Sequence, residues 1–224
     1  KRQIDTDGDG IGDWLEIEHG VLHHGWQNPL IYNRRYAIVL YCDPDPVNKD
    51  FYRDLCDSIY NHLTNNLNYN EGDVYYLGFE DAGRGDVELD TTEANIEDVF
   101  DSISNAITEN DLLFIFWVGH GIQDTGFYVG DGDTMTYTEI SNLLSSINCR
   151  RMALCFHPCF SGGVIPDVSG TDRVILTSAE DYKKDKGWGE RFRDGLVGNG
   201  DLPDPDGNPT TDDSHGNGDG FVSL

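Results

Sequence analysis

Five short apolar runs recur along the chain with helical patterns between them: "YAIVLY" (36–41), "DVYYLGF" (73–79), "DLLFIFWVGHG" (111–121), "RMALCF" (151–156) and "RVILTSA" (173–179). That alternation constrains the fold more than any other feature. A short apolar run bounded by turn residues reads as a buried strand. After the first run, "DFYRDLCDSIYNHLTNNL" repeats Phe51, Leu55, Ile59 and Leu63 at every fourth position, which is one buried helix face. After the second, Thr92 precedes a helical pattern that puts Ile96, Phe100, Ile103 and Ile107 on one side. "TGFYVGDGDTMTYTEISNLLSSI" reads as a hairpin around "GDGD" followed by a helix capped near Thr138. Strands alternating with helices predict an α/β fold: a mostly parallel sheet sandwiched by helices in three αβα layers. Its functional groups belong at the carboxyl ends of the strands.

The 224 residues suit one well-cored domain with appendages. Residues 1–34 are polar and glycine-punctuated and read as an N-terminal extension, residues 35–198 as the main domain, and residues 199–224 as an acidic Gly/Asp-rich tail. No apolar run is long enough to span a bilayer. A net charge of −26 repels nucleic-acid backbones and anionic lipid, and so favours calcium or basic partners. Beginning at Lys1 with no secretory leader, the chain reads as a processed product.

Five cysteines (Cys42, Cys56, Cys149, Cys155, Cys159) fit no zinc spacing, and an odd count leaves at least one thiol free. Four of them, all but Cys159, read as packing residues or disulfide partners. Cys159 follows the fourth strand in "CFHPCFSGG", and His120 ends the third in "GHG". Ends of consecutive strands in a parallel sheet are neighbours, so imidazole and thiol are expected within several ångströms of each other. The surrounding glycines let a peptide carbonyl approach while backbone N–H groups point at its oxygen. The amides of Gly121 and Cys159 are the expected oxyanion donors.

"GHG" followed by "CFSGG", in this element order, resembles the caspase and legumain cysteine peptidases over roughly 160 residues, from Tyr36 to about Leu196. The resemblance implies a caspase-hemoglobinase-like fold, peptide-bond hydrolysis, and His120 and Cys159 as the catalytic dyad. "FYRDLCDSIY" resembles the legumain segment in which an arginine lines the pocket for the residue before the cleaved bond, which points to Arg53. "LTSA" resembles the segment flanking the bound peptide, which points to Thr177 and Ser178. Two residues before the cysteine the family usually carries Asp or Glu as part of that pocket and this chain has His157, so with His157 and Arg53 both cationic the resemblance implies a polar or acidic side chain at least as readily as Asn.

"DTDGDGIGDWLE" (5–16) fits a twelve-residue calcium loop. Asp5, Asp7 and Asp9 stand at positions 1, 3 and 5, Gly10 is at the turn, Ile11 offers its carbonyl, Asp13 is at 9 and Glu16 at 12. The tail is a partial second match through Asn217, Asp219 and Gly220. Loops of the extracellular class fill at millimolar calcium, which implies a secreted or cell-surface protein in which Ca²⁺ stabilises the fold. Two functions follow: a calcium-stabilised cysteine endopeptidase acting on peptides or proteins, or a non-catalytic calcium-binding assembly module on the same fold.

Overall fold

The computed structural model describes residues 34–43, 46–130 and 132–184, together with positions 189, 192, 193 and 196. Both calcium loops, from Asp5 to Glu16 and around Asn217 and Asp219, lie outside the described residues.

The apolar runs become strands because alternate side chains find a layer on each face of a sheet. β1 (Arg35–Cys42) sends Tyr36, Ile38, Leu40 and Cys42 to one side and Ala37, Val39 and Tyr41 to the other, all buried. β4 (Leu112–Gly119) does the same with Leu113, Ile115 and Trp117 against Phe114, Phe116 and Val118. With β2 (Val74–Gly78), β3 (Leu89–Asp90), β8 (Arg151–Phe156) and β9 (Arg173–Thr177), they form a six-stranded sheet in the order β3-β2-β1-β4-β8-β9. Every pairing in it is parallel. The strand at one edge, β9, is ladder-bonded on one side among the described residues and exposes 59 % of Val174.

Helix α1 (Pro46–Asn65) covers one face with Leu55, Cys56, Ile59, Tyr60 and Leu63, joined there by Phe192 and Leu196. Helices α2 (Glu93–Ala106) and α3 (Tyr137–Ser145) cover the other, with Ile96, Val99, Phe100 and Ile103 from the first and Tyr137, Ile140 and Leu144 from the second. The three αβα layers expected from the sequence are therefore present. Phe51, however, is 37 % exposed: α1 begins at Pro46, and its buried stripe starts one turn later than the four-residue repeat implied.

Thr92 caps α2 by accepting from Asn95 N–H, as expected. The cap of α3 is Thr136 and not Thr138. Only Thr136 has a glutamate three residues on, and Glu139 returns the bond to Thr136 N–H at 2.7 Å, closing a capping box. The "GDGD" turn does join two antiparallel strands, β6 (Gly126–Tyr128) and β7 (Thr134–Thr136). A two-residue strand, β5 (Gly121–Ile122), adds to them directly after His120.

Candidate active site

The sheet's registers bring Asp43 and His120 together and end β8 three residues before Cys159. β4 and β8 pair from Leu112 with Arg151 to Trp117 with Phe156, and His157 N–H extends the ladder to Trp117 O at 2.8 Å. β8 ends at Phe156 and the chain turns at Cys159 and Phe160, where the Cys159 carbonyl comes against Gly121, the residue after His120. β1 and β4 pair as far as Cys42 with Gly119, so one residue further Asp43 comes beside His120. The side chains bear this out: Nε2 of His120 lies 3.0 Å from Oδ2 of Asp43. Asp43 is fully buried, whereas the imidazole is 39 % exposed. A carboxylate in that position orients the ring and neutralises it when it carries a proton, and it leaves Nδ1 as the nitrogen that can reach a reacting group.

Gly121 lies against the Cys159 backbone. A Cβ there would overlap the Cys159 carbonyl oxygen and stand 3.3 Å from Pro158 Cβ. This close approach requires glycine, and it brings the two motifs into contact. Tyr128 N–H donates to His120 O at 3.0 Å, so Gly121 and Phe127 form the pair without mutual hydrogen bonds. The Gly121 amide therefore faces away from β6 and is free of the ladder, as an oxyanion donor must be.

All five cysteines are free thiols, so of the two alternatives for Cys42, Cys56, Cys149 and Cys155 the structure has packing. Cys42, Cys56 and Cys155 are buried; Cys149 and Cys159 are half-buried. Burial pushes the Cys56 thiol well above its ordinary range, Cys155 to about 12 and Cys149 to about 11.

The residues expected to bind substrate are disposed differently. His157 is only 3 % exposed, and its ring meets Tyr52 edge-on at 5.5 Å. A Cβ on Gly189 would overlap its Cδ2, so the Gly189 backbone lies over the imidazole. His157 is thus a covered residue and not the wall of an open pocket. Arg53 is matched by Asp50 at 2.5 Å and Asp81 at 3.5 Å, and its charge is spent within the protein. Thr177 pairs with Phe156 at the end of β9 and lines a cavity of about 880 Å³ with Gly162, Ile165, Ser178 and the 179–184 loop. That cavity opens beside the Cys159 turn, with neither His120 nor Cys159 in its lining. Ser178 borders it too, and its hydroxyl donates to His157 O at 2.5 Å.

Two residues of the site escape a reading of the sequence. Asp43 sits in "CDPDPVNKD", where every acid looks like turn chemistry, and only the β1–β4 register singles it out. Tyr52, whose ring meets both His120 (6.2 Å) and His157 (5.5 Å) edge-on, looks like one more aromatic on an amphipathic helix. Among the described residues no group of three or more His, Cys, Asp and Glu side chains could hold a metal ion, and no helix is long and apolar enough to cross a membrane. Comparison with protein-family models and with curated proteins finds no match for this chain.

Proposed function

We propose that the protein is a cysteine endopeptidase of the caspase and legumain type, secreted or displayed at a cell surface and stabilised by calcium. The single observation that carries this reading is that His120, paired with the buried Asp43, is followed by Gly121 packed on the Cys159 carbonyl.

The chemistry follows from these groups. The Cys159 thiolate attacks the scissile carbonyl carbon, forming a C–S bond while the carbonyl electron pair moves to oxygen. The amides of Gly121 and Cys159 receive that oxyanion. When the C–N bond breaks, His120 gives a proton to the departing amine, and the buried Asp43 carboxylate steadies the imidazolium before transfer. Water then attacks the thioester carbon, His120 takes its proton, and the C–S bond breaks to release the acid product, which restores the Cys159 thiolate and the His120 imidazolium. The substrate is a peptide in extended form. A surface of charge −26 disfavours nucleic acid as a partner.

One observation favours the non-catalytic alternative. His157 is covered where the resembling family opens an acid-lined pocket, as an assembly module without a substrate would have it. Purified protein assayed with calcium on a peptide library varied at the residue before the cleaved bond separates the two readings. The enzyme reading expects cleavage that Cys159→Ala and His120→Ala abolish. Cleavage at the parent rate by either variant sinks it.

A further inference from the structure

The geometry points to Tyr137 as a positioning residue for Cys159: its hydroxyl, with the 178–183 strap, clamps a strained backbone elbow immediately after the nucleophile. This inference rests on the peptidase reading for its consequence and on hydrogen bonds alone for its geometry.

Phe160 is the elbow. It adopts φ 60°, ψ 15°, the left-handed region that a side chain with a Cβ enters only when its surroundings hold it there. The conformation turns the chain from β8 into the 3₁₀ turn Ser161–Val164 within one residue of Cys159. Both polar groups of the Phe160 backbone are taken. Its carbonyl accepts from Tyr137 Oη at 3.1 Å and from Gly163 N–H at 3.0 Å, and its N–H donates to Lys183 O at 2.8 Å. The strap ties down the rest of the turn. Gly162 N–H donates to Ala179 O at 2.8 Å, Ala179 N–H to Ser161 Oγ at 3.3 Å, and Ser178 Oγ to His157 O at 2.5 Å.

The two glycines of "CFSGG" serve this clamp. A Cβ on Gly162 would stand 2.8 Å from Asp181 N and 2.9 Å from Ala179 O. One on Gly163 would stand 2.9 Å from Tyr137 Cε2 and 3.0 Å from its Oη. Glycine there admits the strap and the phenol, a different use from clearing a path for substrate. Tyr137 is itself well held: it is the first residue of α3, directly after the Thr136–Glu139 capping box, and Phe127 meets its ring edge-on at 5.5 Å. Burial, reinforced by Asp124, Asp167 and Asp181, raises the phenol's pKa and keeps it a donor.

The test uses Tyr137→Phe, which keeps the ring and removes only the hydroxyl, alone and combined with Phe160→Gly, which makes the left-handed conformation free of strain. Peptide cleavage and the pH profile of Cys159 alkylation by iodoacetamide are both read. Tyr137→Phe is expected to lower kcat about tenfold to a hundredfold with KM nearly unchanged and to shift the alkylation profile, and Phe160→Gly to restore both towards the parent. A Tyr137→Phe protein with parental kcat and a parental alkylation profile overturns the clamp. Should Tyr137→Phe fail to fold, Ser178→Ala loosens the same elbow from the strap side; its expected signature is the same, and parental behaviour counts against the clamp in the same way. If the Cys159→Ala protein still cleaves peptides, the peptidase reading falls on its own, and the alkylation profile continues to decide the clamp.

Discussion

Nε2 of His120 stands 3.0 Å from Oδ2 of Asp43, a carboxylate wholly shielded from solvent at the end of the neighbouring strand. The pairing has a measurable consequence. Asp43→Asn keeps the shape and removes the charge that steadies imidazolium, so peptide hydrolysis should fall by about 10²-fold or more, in kcat and not in KM. Steady-state kinetics beside a thermal melt checks this; parental kcat would remove Asp43 from the mechanism.

Thiol chemistry should be selective. Cys56, Cys149 and Cys155 are held as thiols by burial, the latter two with values of about 11 and about 12. Near-neutral treatment with limiting iodoacetamide should therefore mark Cys159 ahead of Cys149, although both are half-buried. Peptide mass mapping reads the order directly, and equal labelling of the two would contradict it.

Acid should weaken the corner of the molecule around Asp81. Burial pushes its carboxyl up, but the Tyr41 hydroxyl, Lys49 at 3.2 Å and Arg53 at 3.5 Å outweigh that and hold it below the ordinary value of 3.8. The folded state thus binds this proton less readily than the unfolded chain does. Its stabilising contribution is complete above pH ~4 and is lost as pH falls through the depressed value. Asp81→Asn should cost about 1–3 kcal/mol at pH 7, with the gap to the parent closing below about pH 4. Denaturant melts at pH 7 and pH 3 measure both ends of this window.

Calcium should stabilise the chain through Asp5, Asp7, Asp9, Ile11, Asp13 and Glu16. At millimolar calcium a site of ~10⁻⁴ M contributes about 1.4 kcal/mol. A chelator should lower the melting temperature of the parent, and Glu16→Gln should already melt lower in calcium. Superimposable curves with and without chelator would argue against a structural ion.

Much of the fold was legible because a buried strand needs apolar residues on both faces, and "DLLFIFWV" or "YAIVLY" can serve little else. That the segments after β4 and β8 meet was legible for the same reason: neighbouring parallel strands deliver their ends together, and Gly121 lies against the Cys159 carbonyl. What stayed hidden depended on contacts distant in sequence. No local pattern distinguishes Asp43 from the other acids of its loop, because the ladder to β4 selects it. Nothing local says that His157 is roofed by Gly189, or that Arg53 meets Asp81 across the end of β2. The Gly162–Gly163 pair reads in the sequence as room for a peptide carbonyl, whereas the strap and Tyr137 that approach it come from outside the motif.

Among the described residues β9 is ladder-bonded on one side only, and that bears on how this protein behaves in a tube. "RVILT" carries no acidic residue, so the chain's large negative charge guards that backbone edge only at long range. At 1 M salt the Debye length shrinks to ~3 Å, and the mutual repulsion between molecules is screened while the ladder groups of β9 that have no strand partner among the described residues are unchanged. Precipitation at high salt should therefore begin by edge-to-edge stacking through Val174, and a lysine at that position would act as a gatekeeper against it.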